Sequence, residues 1–189
     1  MTGYSTKKEN TRRYLDLALV ELLQEVPFHK VSVSNLTKKA GLSRGTFYLH
    51  YVDIDDFLNS QKTGLLAQFK EEFLSASDNK SFQRKITDLI YYIENHFELF
   101  KGLLGVNGDK YFEKDIIIFI QEFIFEDYEL ENRFPELPDQ YIINLSVMSI
   151  ISIILTWLEE REPRSAQEIL EIIRETRQIT LNELVEGKL

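Results

Sequence analysis

The stretch from Val31 to Tyr51, VSVSNLTKKAGLSRGTFYLHY, constrains this chain more than any other. Ser32 is a good N-cap, and Val33, Leu36 and Ala40 recur at the spacing that gives a helix one apolar face. Gly41 then stops the helix, because glycine accepts the left-handed backbone that closes a helical end. Leu42 packs back, and Ser43 offers a hydroxyl to cap a second helix that begins only two residues after the first has ended. Two helices joined by so tight a turn cannot lie antiparallel and must cross steeply.

That crossing is the helix-turn-helix arrangement, whose second helix enters a DNA major groove. Here the second helix should expose Arg44, Gly45, Thr46, Tyr48 and His50, while Phe47 and Tyr51, four apart, point inward. Arg44 and Thr46 are the candidates for base edges, arginine to guanine being the commonest specific pair. Ser32, Ser34, Ser43, Tyr48 and His50 are suited to fixing register on phosphates, with Lys7, Lys8 and Arg12 adding positive field.

At these residues the chain resembles the TetR family of bacterial transcription regulators. The family pattern A-G-[VL]-S-x-G-[TS]-[LF]-Y-x-[HY]-[FY] is filled by Ala40-Gly41-Leu42-Ser43-Arg44-Gly45-Thr46-Phe47-Tyr48-Leu49-His50-Tyr51. Upstream, Thr11 to Val26 is similar to the family's first helix, with Leu15, Ala18, Leu19, Leu22, Leu23 and Val26 in one stripe, followed by Phe28. Downstream, Asp53 caps a long helix carrying Phe57 and Leu58. The resemblance implies an all-α fold, with an N-terminal helix-turn-helix DNA-binding domain over residues 1–52 and a larger helical ligand-binding and dimerisation domain over 53–189. It also implies a ligand-responsive DNA-binding regulator, a dimeric repressor that binds a palindromic operator in double-stranded DNA and is released by a small-molecule effector. One position departs from the pattern. Where the family places a phosphate-binding lysine just after the cap of helix four, this chain has Ile54, followed by Asp55 and Asp56. That implies weaker or differently anchored DNA binding, and leaves room for an activator or co-regulator whose head binds another protein.

Charge distribution agrees with a DNA-facing end. The chain carries a net charge of −9, yet residues 1–52 hold eight basic side chains (Lys7, Lys8, Arg12, Arg13, Lys30, Lys38, Lys39, Arg44) against four acids (Glu9, Asp16, Glu21, Glu25), a net of +4 that leaves −13 on the remainder. A basic head on an acidic body draws DNA to one end and repels it elsewhere.

Beyond the head everything reads as helix. Asp53 to Ala76 is the connector, and Asp78-Asn79-Lys80 breaks it. Ser81 to Lys101 carries one 3.6-residue stripe running from Phe82 to Phe100, and Gly102, Gly105 and Gly108 then make a loose connection. Tyr111 to Tyr128 is apolar on several sides, and Pro135 and Pro138 end the next stretch. Tyr141 to Glu159 and Ala166 to Glu186 are the last two helices. Small residues three apart on the first of them, Ser146, Ser149 and Ser152, let another helix approach closely. A buried core helix and a two-fold four-helix interface both fit this pattern. The family resemblance favours a homodimer interface that includes Ser146, Ser149, Ile153, Ile169 and Ile173.

Between connector and interface lies an aromatic set of Tyr91, Tyr92, Phe97, Phe100, Phe112, Phe119, Phe123 and Trp157, interrupted by the polar His96, Gln121 and Asn144. Such stripes form ordinary cores. By resemblance they would also hold a hydrophobic or aromatic effector, with Tyr91, Tyr92, His96, Phe119, Gln121, Phe123, Asn144 and Trp157 as candidate contacts.

Other classes fit poorly. Gly41-Leu42-Ser43-Arg44-Gly45 satisfies the hydrolase pattern G-x-S-x-G, but that elbow needs a strand before the serine, and an amphipathic helix precedes it here. The three histidines, His29, His50 and His96, lack metal-ligand spacing, so no metal or cofactor is expected. There are no cysteines, the polar start MTGYSTKKEN has no signal-peptide character, and the apolar run Leu145 to Leu158 reads as too short and too polar to cross a bilayer. The expectation is a cytoplasmic, non-enzymatic protein without a membrane partner.

Overall fold

The computed structural model describes residues 2–74, 81–106, 108–124 and 138–186, with side chains described at 10–71, 81, 83–106, 108–122, 138 and 140–176. Every regular element among the described residues is helical. The order is α1 (Thr2–Glu25), a 3₁₀ turn (Phe28–Lys30), α2 (Val33–Lys39), α3 (Arg44–Tyr48), α4 (Ile54–Leu74), α5 (Phe82–Asn95), α6 (Phe97–Leu104), α7 (Lys110–Phe119) with a π-helical turn (Ile120–Ile124), α8 (Asp139–Leu158) and α9 (Ala166–Glu186). The expected break at Asp78–Lys80, the end of the Tyr111–Tyr128 stretch and Pro135 lie outside the described residues.

The chain forms two compact units, one of residues 1–72 with 98–112 and one of residues 73–97 with 113–189. In the first unit the stripe of α1 buries Leu15, Ala18, Leu19, Leu22 and Leu23, and α2, α3 and α4 contribute Leu36, Phe47, Phe57, Leu58, Leu65 and Phe69. The helix α6 joins this core through Phe100 and Leu103. Gly102 is not part of a loose connection but an interior residue of α6. A Cβ there would lie 2.6 Å from Leu23 Cδ1 and 2.7 Å from Leu23 Cβ, so only glycine lets α6 seat against α1. Beside it, Gln24 Nε2 of α1 donates to Glu98 Oε2 of α6 at 2.8 Å.

A buried ion pair ties α4 to the turn before α7. Lys62 Nζ lies 2.6 Å from Asp109 Oδ2, with the two side chains only 13% and 7% exposed. Asp109 Oδ1 accepts from the Tyr111 amide at 2.9 Å, which caps α7. The Lys62 ammonium also stands 5.6 Å above the Phe28 ring, in the 3₁₀ turn between α1 and α2.

In the second unit α5 packs on α9, α8 packs on α9, and the π-helical turn contacts both α5 and α8. Trp157 is 1% exposed; its Nε1 donates to the Arg164 carbonyl at 2.8 Å, and its ring meets Phe97 edge-on at 5.3 Å. Ser165 and Glu168 form a reciprocal cap at the start of α9, and Glu94 of α5 accepts from the Ala166 amide at 2.6 Å.

The structure corrects three further expectations. The single helix from Ser81 to Lys101 is two, parted at His96 (φ −119°, ψ 26°), whose amide donates to the Tyr92 and Ile93 carbonyls. Neither glycine nor proline marks the break, and the apolar stripe resumes in phase on the other side. The first helix begins at Thr2 rather than Thr11. The apolar segment before Leu158 starts at Gln140, so its 19 residues are long and apolar enough by composition to cross a membrane, and about a third of that stretch is buried in the single chain.

Candidate nucleic-acid interface

Local hydrogen bonds build the helix-turn-helix. Ser32 Oγ accepts from the Asn35 amide at 3.3 Å and Asn35 Oδ1 accepts from the Ser32 amide at 2.7 Å, a reciprocal box at the start of α2. Asn35 Nδ2 also donates to the Lys30 carbonyl at 2.9 Å, which holds the incoming chain. At the other end Gly41 adopts φ +66°, the Gly41 amide donates to the Lys38 carbonyl at 3.3 Å, and the Leu42 amide donates to the Thr37 carbonyl at 2.9 Å. These two bonds are the Schellman pattern, which needs a left-handed residue at Gly41. Ser43 Oγ then accepts from the Thr46 amide at 3.0 Å and shares a 2.9 Å hydrogen bond with the Thr46 hydroxyl, starting α3. The serine of the G-x-S-x-G pattern is therefore a helix cap preceded by helix α2.

The residues of α3 divide only partly as their spacing predicts, since two of the five expected to be exposed, Thr46 and His50, are half-buried. Phe47 is fully buried, with Tyr51 at 5.5 Å, Tyr48 at 5.5 Å and Phe57 at 6.0 Å between ring centroids. Arg44, Gly45 and Tyr48 are exposed, and Thr46 and His50 are half-buried. The helix ends at Tyr48, so His50 stands in the following turn. A Cβ at Gly45 would meet only Ser43 Oγ, at 3.6 Å. The fold tolerates a side chain there, so the glycine keeps the outer face of α3 open to close approach.

Arg44 is not free in solvent. Its Nη2 donates to Ser34 Oγ of α2 at 2.7 Å, across the turn. This pairing depends on the crossing of the two helices and so is not written in the local sequence of either. Behind this face, Lys39 of α2 pairs with Glu25 at 2.6 Å and Glu21 at 3.6 Å on α1. The hydrogen bond to Glu25 raises the Lys39 ammonium above its ordinary value.

Arg12 is exposed on α1 and faces Asp16 at 4.0 Å. The side chains of Lys7 and Lys8 lie outside the described residues. Burial raises the Asp16 carboxyl above its ordinary value of 3.8, against the opposing effects of Arg12 and of Gln61 on α4. A carboxyl raised by folding favours the native state where it is protonated, so its contribution is full below the unfolded value and is lost as pH rises through the folded one. The stability of Asp16→Asn relative to the parent chain, from urea midpoints between pH 4 and 7, is expected to improve as pH rises; a flat difference contradicts this.

The residues after α3 are unlike a phosphate cradle. Leu49 and Val52 are 82% and 80% exposed. Asp53 caps α4 by accepting from the Asp56 amide at 2.8 Å, Asp56 accepts from the Val52 amide at 2.9 Å, and Ile54 is half-buried.

The candidate ligand contacts divide between core and surface. Tyr92, Phe119 and Trp157 are buried, Tyr91 is 44% exposed, and the His96 ring lies tilted against Tyr92 with centroids 4.5 Å apart. Asn144 Oδ1 accepts from Gln121 Nε2 at 2.9 Å and from Gln140 Nε2 at 3.0 Å, joining the π-helical turn to α8. The side chain of Phe123 lies outside the described residues. Of the candidate interface residues, Ile169 and Ile173 are 1% and 8% exposed and belong to the core of the second unit, while Ser146, Ser149 and Ile153 are half-buried. The outward face of α8 is instead Tyr141, Leu145 and Met148, which are 72%, 52% and 50% exposed and separated by four and three residues.

An all-helical chain whose capped helix-turn-helix precedes a second helical unit has the architecture of a helix-turn-helix transcription regulator. Residues 17–60 match the family model for bacterial regulatory proteins of the tetR family, and residues 80–178 match a model described as a transcriptional regulator C-terminal region. The chain belongs to the TetR family of transcription regulators. Among curated proteins it is similar to the fatty acid metabolism regulator protein of Bacillus subtilis (strain 168), 30% identical over 97 residues that cover 50% of this chain and 49% of the relative. The match thus spans about half the relative's length. Among solved structures, the fatty acid degradation regulator FadR from Bacillus halodurans shares the fold with a TM-score of 0.67 and 16% identity, over 87% of this chain and 93% of that one. The dihydroxyacetone kinase operon activator DhaS does so with a TM-score of 0.60 and 18% identity, over 91% and 96%.

Proposed function

We propose that this protein is a dimeric repressor that binds a palindromic operator through α3 and is released by an apolar small molecule bound in its second unit. The observation that carries DNA reading is the outer face of α3, where Arg44, Gly45 and Tyr48 are exposed on a helix held by caps at Ser32 and Ser43. Arg44 supplies a planar fork for guanine, Tyr48 a hydroxyl for a phosphate, and the net positive head the long-range attraction.

Dimerisation is supported by α8. Tyr141, Leu145, Met148 and Ser152 fall on one narrow stripe, all exposed in the single chain, and a second copy meeting that stripe about a two-fold axis would cover it. A dimer also presents two heads to two half-sites. An effector of acyl or similar apolar character is supported by the regulators of fatty acid metabolism and degradation among the similar proteins, and by the aromatic side chains Tyr92, Phe119 and Trp157 buried in the second unit. An effector that fits one head spacing better than the other shifts the population by its differential affinity.

In vitro selection from random duplexes tests the reading. The wild-type chain is expected to select a palindrome and to lose affinity steeply with salt. Arg44→Ala should relax preference at one base pair per half-site by about 1 to 3 kcal/mol. Tyr48→Phe should weaken all sites alike. An unchanged consensus in Arg44→Ala contradicts the assignment of that residue.

A second reading, a co-regulator whose head binds protein, draws on the exposed Leu49 and Val52 beside Asp53, Asp55 and Asp56. No selected palindrome together with weak salt dependence favours it.

A further inference from the structure

We infer that Ser34, on α2 and outside the reading helix, is a specificity-determining positioning residue that sets the direction of the Arg44 guanidinium. The inference rests on the reading of α3 as the base-contacting helix. The three serines of the motif have different work. The hydroxyls of Ser32 and Ser43 accept backbone amides and cap α2 and α3. Ser34 stands at the second position of α2, is exposed, and its Oγ accepts from Arg44 Nη2 at 2.7 Å across ten residues of sequence.

Arginine has a long, freely rotating stem, so an unsupported guanidinium on a helix of five residues samples many directions and must be ordered on binding. One hydrogen bond to Ser34 uses one of the five guanidinium donors and leaves the rest of the planar fork for a base. The anchor itself is fixed, because α2 is boxed at Ser32 and Asn35 and held to α1 through Lys39. Among the described residues Arg44 has no carboxylate partner that would compete for the fork. Base preference is thus set by a pair of residues on two helices, and a phosphate contact by the Ser34 hydroxyl proton is not needed for it.

The test measures the full-length chain on its selected operator and on operators changed one base pair at a time, for wild type, Ser34→Ala, Ser34→Thr, Arg44→Ala and the double variant. Ser34→Ala is expected to lower discrimination about two- to tenfold, the effect of one hydrogen bond, at the same base pair that Arg44→Ala affects. Ser34→Thr should restore it, the double variant should match Arg44→Ala alone, and the slope of affinity against salt should not change. If Ser34→Ala weakens every operator equally with a shallower salt slope, or adds to Arg44→Ala, Ser34 is a phosphate contact and the inference fails while DNA reading stands. If the wild-type chain selects no consensus, the reading fails and the inference goes with it.

Discussion

Lys62→Met is expected to destabilise the first unit by about 3 kcal/mol, near the lower end of the range for breaking a buried ion pair. The substitution leaves the Asp109 carboxylate, 7% exposed, without its counter-charge. The Tyr111 amide still donates to it, but one neutral donor does not replace an ammonium at 2.6 Å. The contact between the Lys62 ammonium and Phe28 disappears too. The measurement is urea unfolding followed by far-UV circular dichroism, with Trp157 fluorescence as a separate report, since the chain's single tryptophan belongs to the second unit. Asp109→Leu in the Lys62→Met background should recover part of the loss, because two apolar side chains need no mutual neutralisation. If Lys62→Met stays within about 1 kcal/mol of the parent chain, the pair is not a structural tie.

Phe47→Ala is expected to cost about 3 to 5 kcal/mol and to abolish operator binding. The Phe47 ring is fully buried, and the rings of Tyr48, Tyr51 and Phe57 close around it. Removing it opens a cavity that a five-residue helix cannot collapse to fill, since both ends of α3 are fixed by Ser43 and by the turn that enters α4. The loss of binding follows from the loss of the direction of α3, with no DNA contact removed. Native-like stability together with unchanged operator affinity in this variant would show that α3 is held by its caps alone.

Much of the head was legible from residues because its determinants are local. Ser32 with Asn35, Gly41 with Leu42, and Ser43 with Thr46 act within three residues of one another, and a side chain at such a distance selects its backbone partner without reference to the rest of the fold. The burial of Phe47 and the exposure of Arg44 follow from their positions on one short helix. The bounds of α9, Ala166 to Glu186, were legible from its apolar period, whereas the Ser165–Glu168 box that caps its start emerged only with the structure. The break at His96 was not, because an apolar stripe that resumes in phase looks continuous and no glycine or proline stands at the break. The place of Gly102 was not legible either, since a glycine that ends a helix and one that admits a neighbour are the same letter.

By itself the sequence determined the helical class, the helix-turn-helix and the sign of charge at each end, because caps, period and net charge are properties of neighbouring residues. Tertiary structure alone decided that Arg44 leans on Ser34, that Lys62 neutralises Asp109 across 47 positions, and that α8 turns Tyr141, Leu145 and Met148 outward while Ile169 and Ile173 go inward. A periodic pattern states that a face is apolar. Which helix covers that face, and which is left for a partner, depends on how whole elements dock.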